Sequence, residues 1–211
     1  MKLKLILFDF SGTLAYLSKP VDFKGFFSSL KNFGIEIETD EEVKAFATLF
    51  ADLLGWAKNW LDFSEKFAKE FIAKPTFKVI KGIADFLKEN VVFELYDDAK
   101  EIFSLPFQKA ILSANARFIV ESLGLQRFAE IFTPRETKTL KPDPKAFLVV
   151  LNKLKVKPEE VLMVGDEVER DLIPAQKLGM KTVLVDRENK VKDYSGIKIN
   201  SLREIKNILG L

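Results

Sequence analysis

Leu5-Ile6-Leu7-Phe8 is an apolar run that stops at a carboxylate, Asp9, and a small-residue turn with Gly12 and Thr13 follows at once. That layout puts an acid at the carboxyl end of a buried strand, where open α/β sheets bind their ligands. The pattern recurs in the second half of the chain. Lys109 to Leu112 is apolar and ends at Ser113, Ile131-Phe132 is a short strand, Val161 to Val164 ends at Gly165-Asp166, and Lys181 to Val185 is a further strand. Helical segments fall between them: Arg117 to Leu123 stopped by Gly124, Pro144 to Leu154, and Asp171 to Leu178 stopped by Gly179. Strand–helix alternation of this kind predicts an α/β fold, a parallel sheet with helices on both faces.

The stretch from about Tyr16 to Glu94 reads differently, as helix throughout. Phe23, Phe26, Phe27 and Leu30 fall at helical spacing. Thr39 with Glu42 forms a capping-box signature before a face carrying Phe46, Leu49, Phe50, Leu53 and Leu54. Phe63, Phe67 and Phe71 stand one turn apart, and Lys78 to Glu89 is amphipathic. Gly55 is expected to break or bend its helix, and Trp56 and Trp60 to share a helical face used for packing or an interface. The chain thus divides into an α/β core (1–15 and 95–211) and a Phe-rich helical insert (16–94) that follows the first strand.

Composition narrows the chemistry. With 47% hydrophobic and 30% charged residues the chain is globular, and a net charge of +2 gives no reason to expect nucleic acid. Without Cys there are no disulfides or thiolate metal sites. Without His there is no Ser-His catalysis and no imidazole base, so acid–base work falls to carboxylates or Lys, and any metal is a hard cation held by oxygen. No segment reads as a signal peptide or membrane span, so the expectation is a cytoplasmic protein, monomer or homodimer, that uses no membrane.

Four strand-end positions carry reactive side chains in order: Asp9, Ser113, Lys141 in Lys141-Pro142-Asp143-Pro144, and Asp166 with Asp171. Each alone has an ordinary explanation: a turn former, a helix cap, a solvated loop lysine, a helix-face acid. Together, on one edge of a parallel sheet, they converge in one cleft and suit phosphoryl transfer to a carboxylate nucleophile, with a hard cation, Lys and Ser holding the phosphoryl oxygens.

These motifs resemble those of the haloacid dehalogenase superfamily over nearly the whole chain. Asp-x-Asp-Gly-Thr-Leu is matched by Asp9-Phe10-Ser11-Gly12-Thr13-Leu14, the apolar strand ending in Ser or Thr by Ile111-Leu112-Ser113, the motif lysine by Lys141, and Gly-Asp-(four residues)-Asp by Gly165-Asp166 and Asp171. The resemblance implies a Rossmann-like core, a helical cap closing over the substrate, and a small phosphorylated metabolite as substrate. It implies that Asp9 is the nucleophile and that Mg²⁺ is held by Asp9, the carbonyl of Ser11 and Asp166, with Asp171 in support. Ser113 and Lys141 would bind the phosphoryl group, and Asn115 is expected to contact the substrate beside them. The chain departs from the pattern at Ser11, where family phosphatases carry the Asp that acts as general acid–base. A Ser hydroxyl does not take a proton usefully at neutral pH, which predicts slow turnover. Two other outcomes stand beside phosphatase: a 2-haloacid dehalogenase-like hydrolase working through an Asp9 ester, and a non-catalytic phospho-ligand-binding member. Against dehalogenation stand the intact acids Asp166 and Asp171 and the absence of any Arg before Arg117.

Overall fold

The computed structural model of the chain describes residues 2–211. Strand β1 (Leu5–Phe8) leads to a short β2 (Ala15–Leu17), then helices α1 (Phe23–Lys31), α2 (Asp40–Leu54), α3 (Trp60–Phe71) and α4 (Phe77–Asn90). The chain returns through β3 (Phe93–Leu95) and continues with β4 (Gln108–Leu112), α5 (Arg117–Glu121), β5 (Glu130–Phe132), α6 (Pro134–Thr137) and α7 (Pro144–Leu154). Strand β6 (Val161–Gly165), α8 (Ile173–Lys177), β7 (Lys181–Val185), β8 (Ile197–Ile199) and α9 (Ile205–Leu209) complete it. The six-stranded sheet runs β5-β4-β1-β6-β7-β8, all pairs parallel.

Side-chain alternation along these strands builds two separate cores. Leu5, Leu7, Ala110, Leu112, Val161 and Met163 face one layer, where α7 supplies Phe147 and Val150. Ile6, Phe8, Ile111, Ile131, Leu162 and Val164 face the other, with Ile119 and Val120 of α5. Because both faces of β1 are covered, the strand is an unbroken apolar run rather than an alternating one. Burying each large aliphatic or aromatic side chain fully contributes about 1.5–3 kcal/mol. The sequence-based α/β expectation therefore holds, with the Rossmann-like arrangement of helices on both faces.

Helices α1–α4 pack on one another through aromatic rings. Phe26 lies 5.7 Å from Phe46, Phe46 5.6 Å from Phe67, and Phe67 5.9 Å from Phe63, centroid to centroid. The capping box at α2 is formed: the Glu42 carboxylate accepts from the Thr39 amide at 2.9 Å, and the Glu42 amide donates to Thr39 Oγ1 at 3.2 Å.

Four details depart from the sequence-based expectation. Residues 16–94 are not helical throughout: β2 and β3 pair antiparallel, Ala15 opposite Leu95, so both chain crossings run through one two-stranded ribbon. Trp56 and Trp60 do not share a helical face, because Trp56 sits in the turn after α2 and Trp60 opens α3. Trp60 instead packs on Phe118 of α5 at 5.1 Å. The helix expected from Asp171 begins earlier as a wide turn, Val168–Leu172, and becomes α-helical at Ile173. Pro174 has no N–H to give the Arg170 carbonyl, so the regular ladder cannot run through that position. Strand β8 has no counterpart in the sequence reading. Among the described residues no helix is long and apolar enough to cross a membrane.

Candidate active site

Asp9, Lys141, Asp166 and Asp171 meet at the carboxyl edge of the sheet, as the order of strand ends requires. Asp9 follows β1, its amide donating to the Val164 carbonyl of β6 at 2.9 Å. The Lys141 ammonium lies between two carboxylates, donating to Asp9 Oδ1 and, at 2.5 Å, to Asp171 Oδ1. All three side chains are buried. Asp166, at the end of β6, accepts from the Thr13 hydroxyl at 2.9 Å. Gly12 lies flat against it with φ +83°; a Cβ there would come 2.1 Å from Asp166 Oδ2, so both the backbone conformation and the close approach require glycine.

The electrostatics are unbalanced. Three acids share one ammonium. Burial pushes the Asp9 carboxyl up, with the neighbouring Asp166 charge adding to it and Lys141 opposing. Burial likewise raises Asp166. Asp171 is pushed up to about 6 by burial and then by Asp9. Burial works against the charge of Lys141, but Asp9 and Asp171 prevail and hold it above its ordinary range. One carboxylate oxygen from each of Asp9, Asp166 and Asp171 lies within 4.8 Å of the others. This all-oxygen donor set, with excess negative charge, fits a hard divalent cation. Asp171 is the least free of the three: Oδ1 takes Lys141, and Oδ2 accepts from the Glu167 amide at 3.3 Å.

The remaining expected residues lie around this cluster. Ser113 is buried after β4, and its hydroxyl accepts from the Asn115 amide at 3.0 Å, leaving its own proton free to donate. Ser11 and Asn115 line, with Asp9 and Lys141, a cleft of about 480 Å³. The cleft also takes Asp52 from the last turn of α2 and the pair Glu167–Arg170, whose charged atoms are 3.3 Å apart.

Sequence reasoning missed those three, and it missed the clamp behind the site. Arg187, two residues past β7, makes a bidentate pair with Asp98 at 2.8 and 2.9 Å. It also donates to the carbonyls of Gly12 and Thr13 at 3.3 and 2.7 Å. Its guanidinium stacks on Tyr96, 3.6 Å from the ring centre. Asp98 further accepts from the Ser201 hydroxyl and the Leu202 amide. Arg187 thus ties the turn after β1 to the segment after β3. No local pattern announces a pair separated by this much chain; the only signal was a charged residue just beyond a buried strand.

Comparison with known proteins gives the family and the fold. A family model described as haloacid dehalogenase-like hydrolase matches residues 3–179. A haloacid dehalogenase-like hydrolase domain-containing protein of Arabidopsis thaliana is 24% identical, covering 99% of this chain and 84% of that one. A glyceraldehyde 3-phosphate phosphatase of Methanocaldococcus jannaschii is 26% identical, covering 98% and 97%. Among solved structures, a phosphatase of this superfamily from Thermococcus onnurineus superposes with a TM-score of 0.69 at 21% identity, covering 99% of this chain and 98% of that one. A 2-haloacid dehalogenase from Pseudomonas syringae gives 0.73 at 15% identity with the same coverage. At those identities the structures speak for the fold alone. With the motif residues gathered at one sheet edge and the family model spanning most of the chain, this protein belongs to the haloacid dehalogenase-like hydrolases.

Proposed function

We propose that the chain is a Mg²⁺-dependent phosphatase of a small phosphorylated metabolite, with Asp9 as nucleophile and residues 16–94 as a cap over the cleft. The observation that carries this is the Lys141 ammonium set between Asp9 and Asp171 beside a third acid, Asp166. It opposes the burial that pushes the Asp9 carboxyl up, it orients that carboxyl, and it lines the same cleft as a donor for a phosphoryl oxygen. Relatives named as phosphatases of glyceraldehyde 3-phosphate and of N-acetylmuramic acid 6-phosphate, and as pyrophosphatases, support the substrate class.

Asp9, the Ser11 carbonyl and Asp166 would hold the cation, with Asp171 behind them. Bound there, Mg²⁺ would screen the charge of the nucleophile and of the phosphate. The chain's own groups do the rest. An Asp9 oxygen attacks phosphorus and the bond to the leaving oxygen breaks. Lys141 and the free hydroxyl proton of Ser113 donate to the phosphoryl oxygens, and Asn115 borders the same space. Water then attacks phosphorus and releases Asp9. The Ser11 hydroxyl cannot take that water's proton, and losing such acid–base help typically costs about 10²–10⁴ in rate. The test is phosphate release from 4-nitrophenyl phosphate with Mg²⁺. Asp9→Asn and chelation with EDTA should each abolish it. Undiminished release by Asp9→Asn would overturn the reading.

A further inference from the structure

The cleft contains a carboxylate that the first-motif residues do not account for. Asp52 lines the same cavity as Asp9 and Ser11, but it comes from the other side, on the last turn of α2. That turn is fixed over the site. Gly55, just beyond it, lies so close to the Ala114 carbonyl that a Cβ would stand 2.5 Å from the oxygen. An acid in the last turn of a helix opposes the backbone dipole, and α2 has no basic residue there to offset it. Asp52 is exposed to the solvent of the cleft, and among the described residues it forms no hydrogen bond and no ion pair, so its carboxylate is free to meet a ligand there.

The other ionisable groups of the cleft have partners or another role, the Glu167–Arg170 pair being the exposed one. Lys141 is held by Asp9 and Asp171, Glu167 is paired with Arg170, and Asp9 is the nucleophile. The chain has no His and no Cys. Building on the phosphatase reading, we propose that Asp52 is the catalytic acid–base, delivered from the cap in place of the residue missing at Ser11. As Asp9 bonds to phosphorus and the leaving oxygen departs with its electron pair, the protonated Asp52 gives that oxygen its proton. In the second half the Asp52 carboxylate takes a proton from water, the water oxygen bonds to phosphorus, and the bond to Asp9 breaks. Phosphate leaves and Asp52 is protonated for the next cycle. Placing the proton carrier on the cap makes turnover depend on the cap being docked.

The test follows Asp52→Asn with Mg²⁺ by rapid mixing, using 4-nitrophenyl phosphate, whose leaving group needs little protonation, and phenyl phosphate, whose leaving group needs it. The steady-state rate should fall by about 10²–10⁴ while a burst of one nitrophenolate per protein remains. Phenyl phosphate should suffer more. Ser11→Asp should raise the rate of Asp52→Asn at least about tenfold but that of the wild type far less, a non-additivity that a purely structural role would not produce. An Asp52→Asn rate within about threefold of the wild type, or a change in KM alone, would overturn the assignment while leaving the phosphatase reading intact. Wild-type protein indistinguishable from Asp9→Asn would bring down both.

Discussion

Arg187→Met should cost the protein far more stability than its partly exposed position suggests. The substitution keeps the aliphatic stem but removes both arms of the pair with Asp98 and the bonds to the Gly12 and Thr13 carbonyls. Asp98 is 5% exposed and would keep only the Ser201 hydroxyl and the Leu202 amide. Removing one partner of a buried ion pair leaves the other charge uncompensated and costs about 3–5 kcal/mol. At about 2–4 °C per kcal/mol for a chain of this size, the melting temperature should drop by roughly 6–20 °C. The pH dependence gives a second check. Burial works against the Asp98 charge, but hydrogen bonds from Arg187, Ser201 and Leu202 hold its carboxyl below the usual carboxylate range. A depressed native value means the stabilisation is complete above the unfolded value, about pH 4, and is lost as pH falls from there through the native value. Thermal melts of wild type, Arg187→Met, Asp98→Asn and the double variant should show this acid loss in full only where both partners remain, with a coupling of at least about 1 kcal/mol in the cycle. Additive effects, or an Arg187→Met loss below about 1 kcal/mol, would refute the clamp.

Two further outcomes follow from the site. Gly55→Ala should force α2 nearly an ångström off the Ala114 carbonyl; overpacking of this kind costs about 1–3 kcal/mol of stability, a drop of roughly 2–12 °C in melting temperature, and kcat/KM in a phosphate-release assay should fall as α2 shifts off the cleft. Lys141→Met should abolish phosphate release and lower stability at neutral pH by about 3–5 kcal/mol, because Asp9 and Asp171 then face each other without a cation; melts in EDTA measure it.

What could be read from the sequence was set by how local its cause is. Pro144–Leu154 matched its helix end to end, because Asp143 caps it and the apolar period is clean. The five longer or more apolar strands were legible from their runs. Strand β8, Ile-Lys-Ile with Gly196 before it, and the three-residue β2 and β3 offer too little pattern, and their pairing partners decide them. Asp9, Lys141, Asp166 and Asp171 were found because each ends a strand or follows one in a fixed order. Asp52 escaped because its helix looks complete without it; its position over the cleft comes from the docking of α2, which no spacing encodes. Gly55 is expected to break or bend its helix, and α2 does end at Leu54; Gly55 stops it with a right-handed φ of −61°, and its small size also serves the contact with Ala114.

The place of β1 at the centre of the sheet also sets a timetable for synthesis. Its first neighbour, β4, is made about a hundred residues later, and its second, β6, about fifty residues after that. At about 5–20 residues per second, Leu5-Ile6-Leu7-Phe8 must wait roughly 5–30 s for the surfaces that cover it. During that interval the most apolar strand of the protein is an uncovered edge, open to pairing with other chains. Overproduction at a high rate of initiation should therefore fail by aggregation of nascent chains before Asp9, which follows β1, has its neighbours in place.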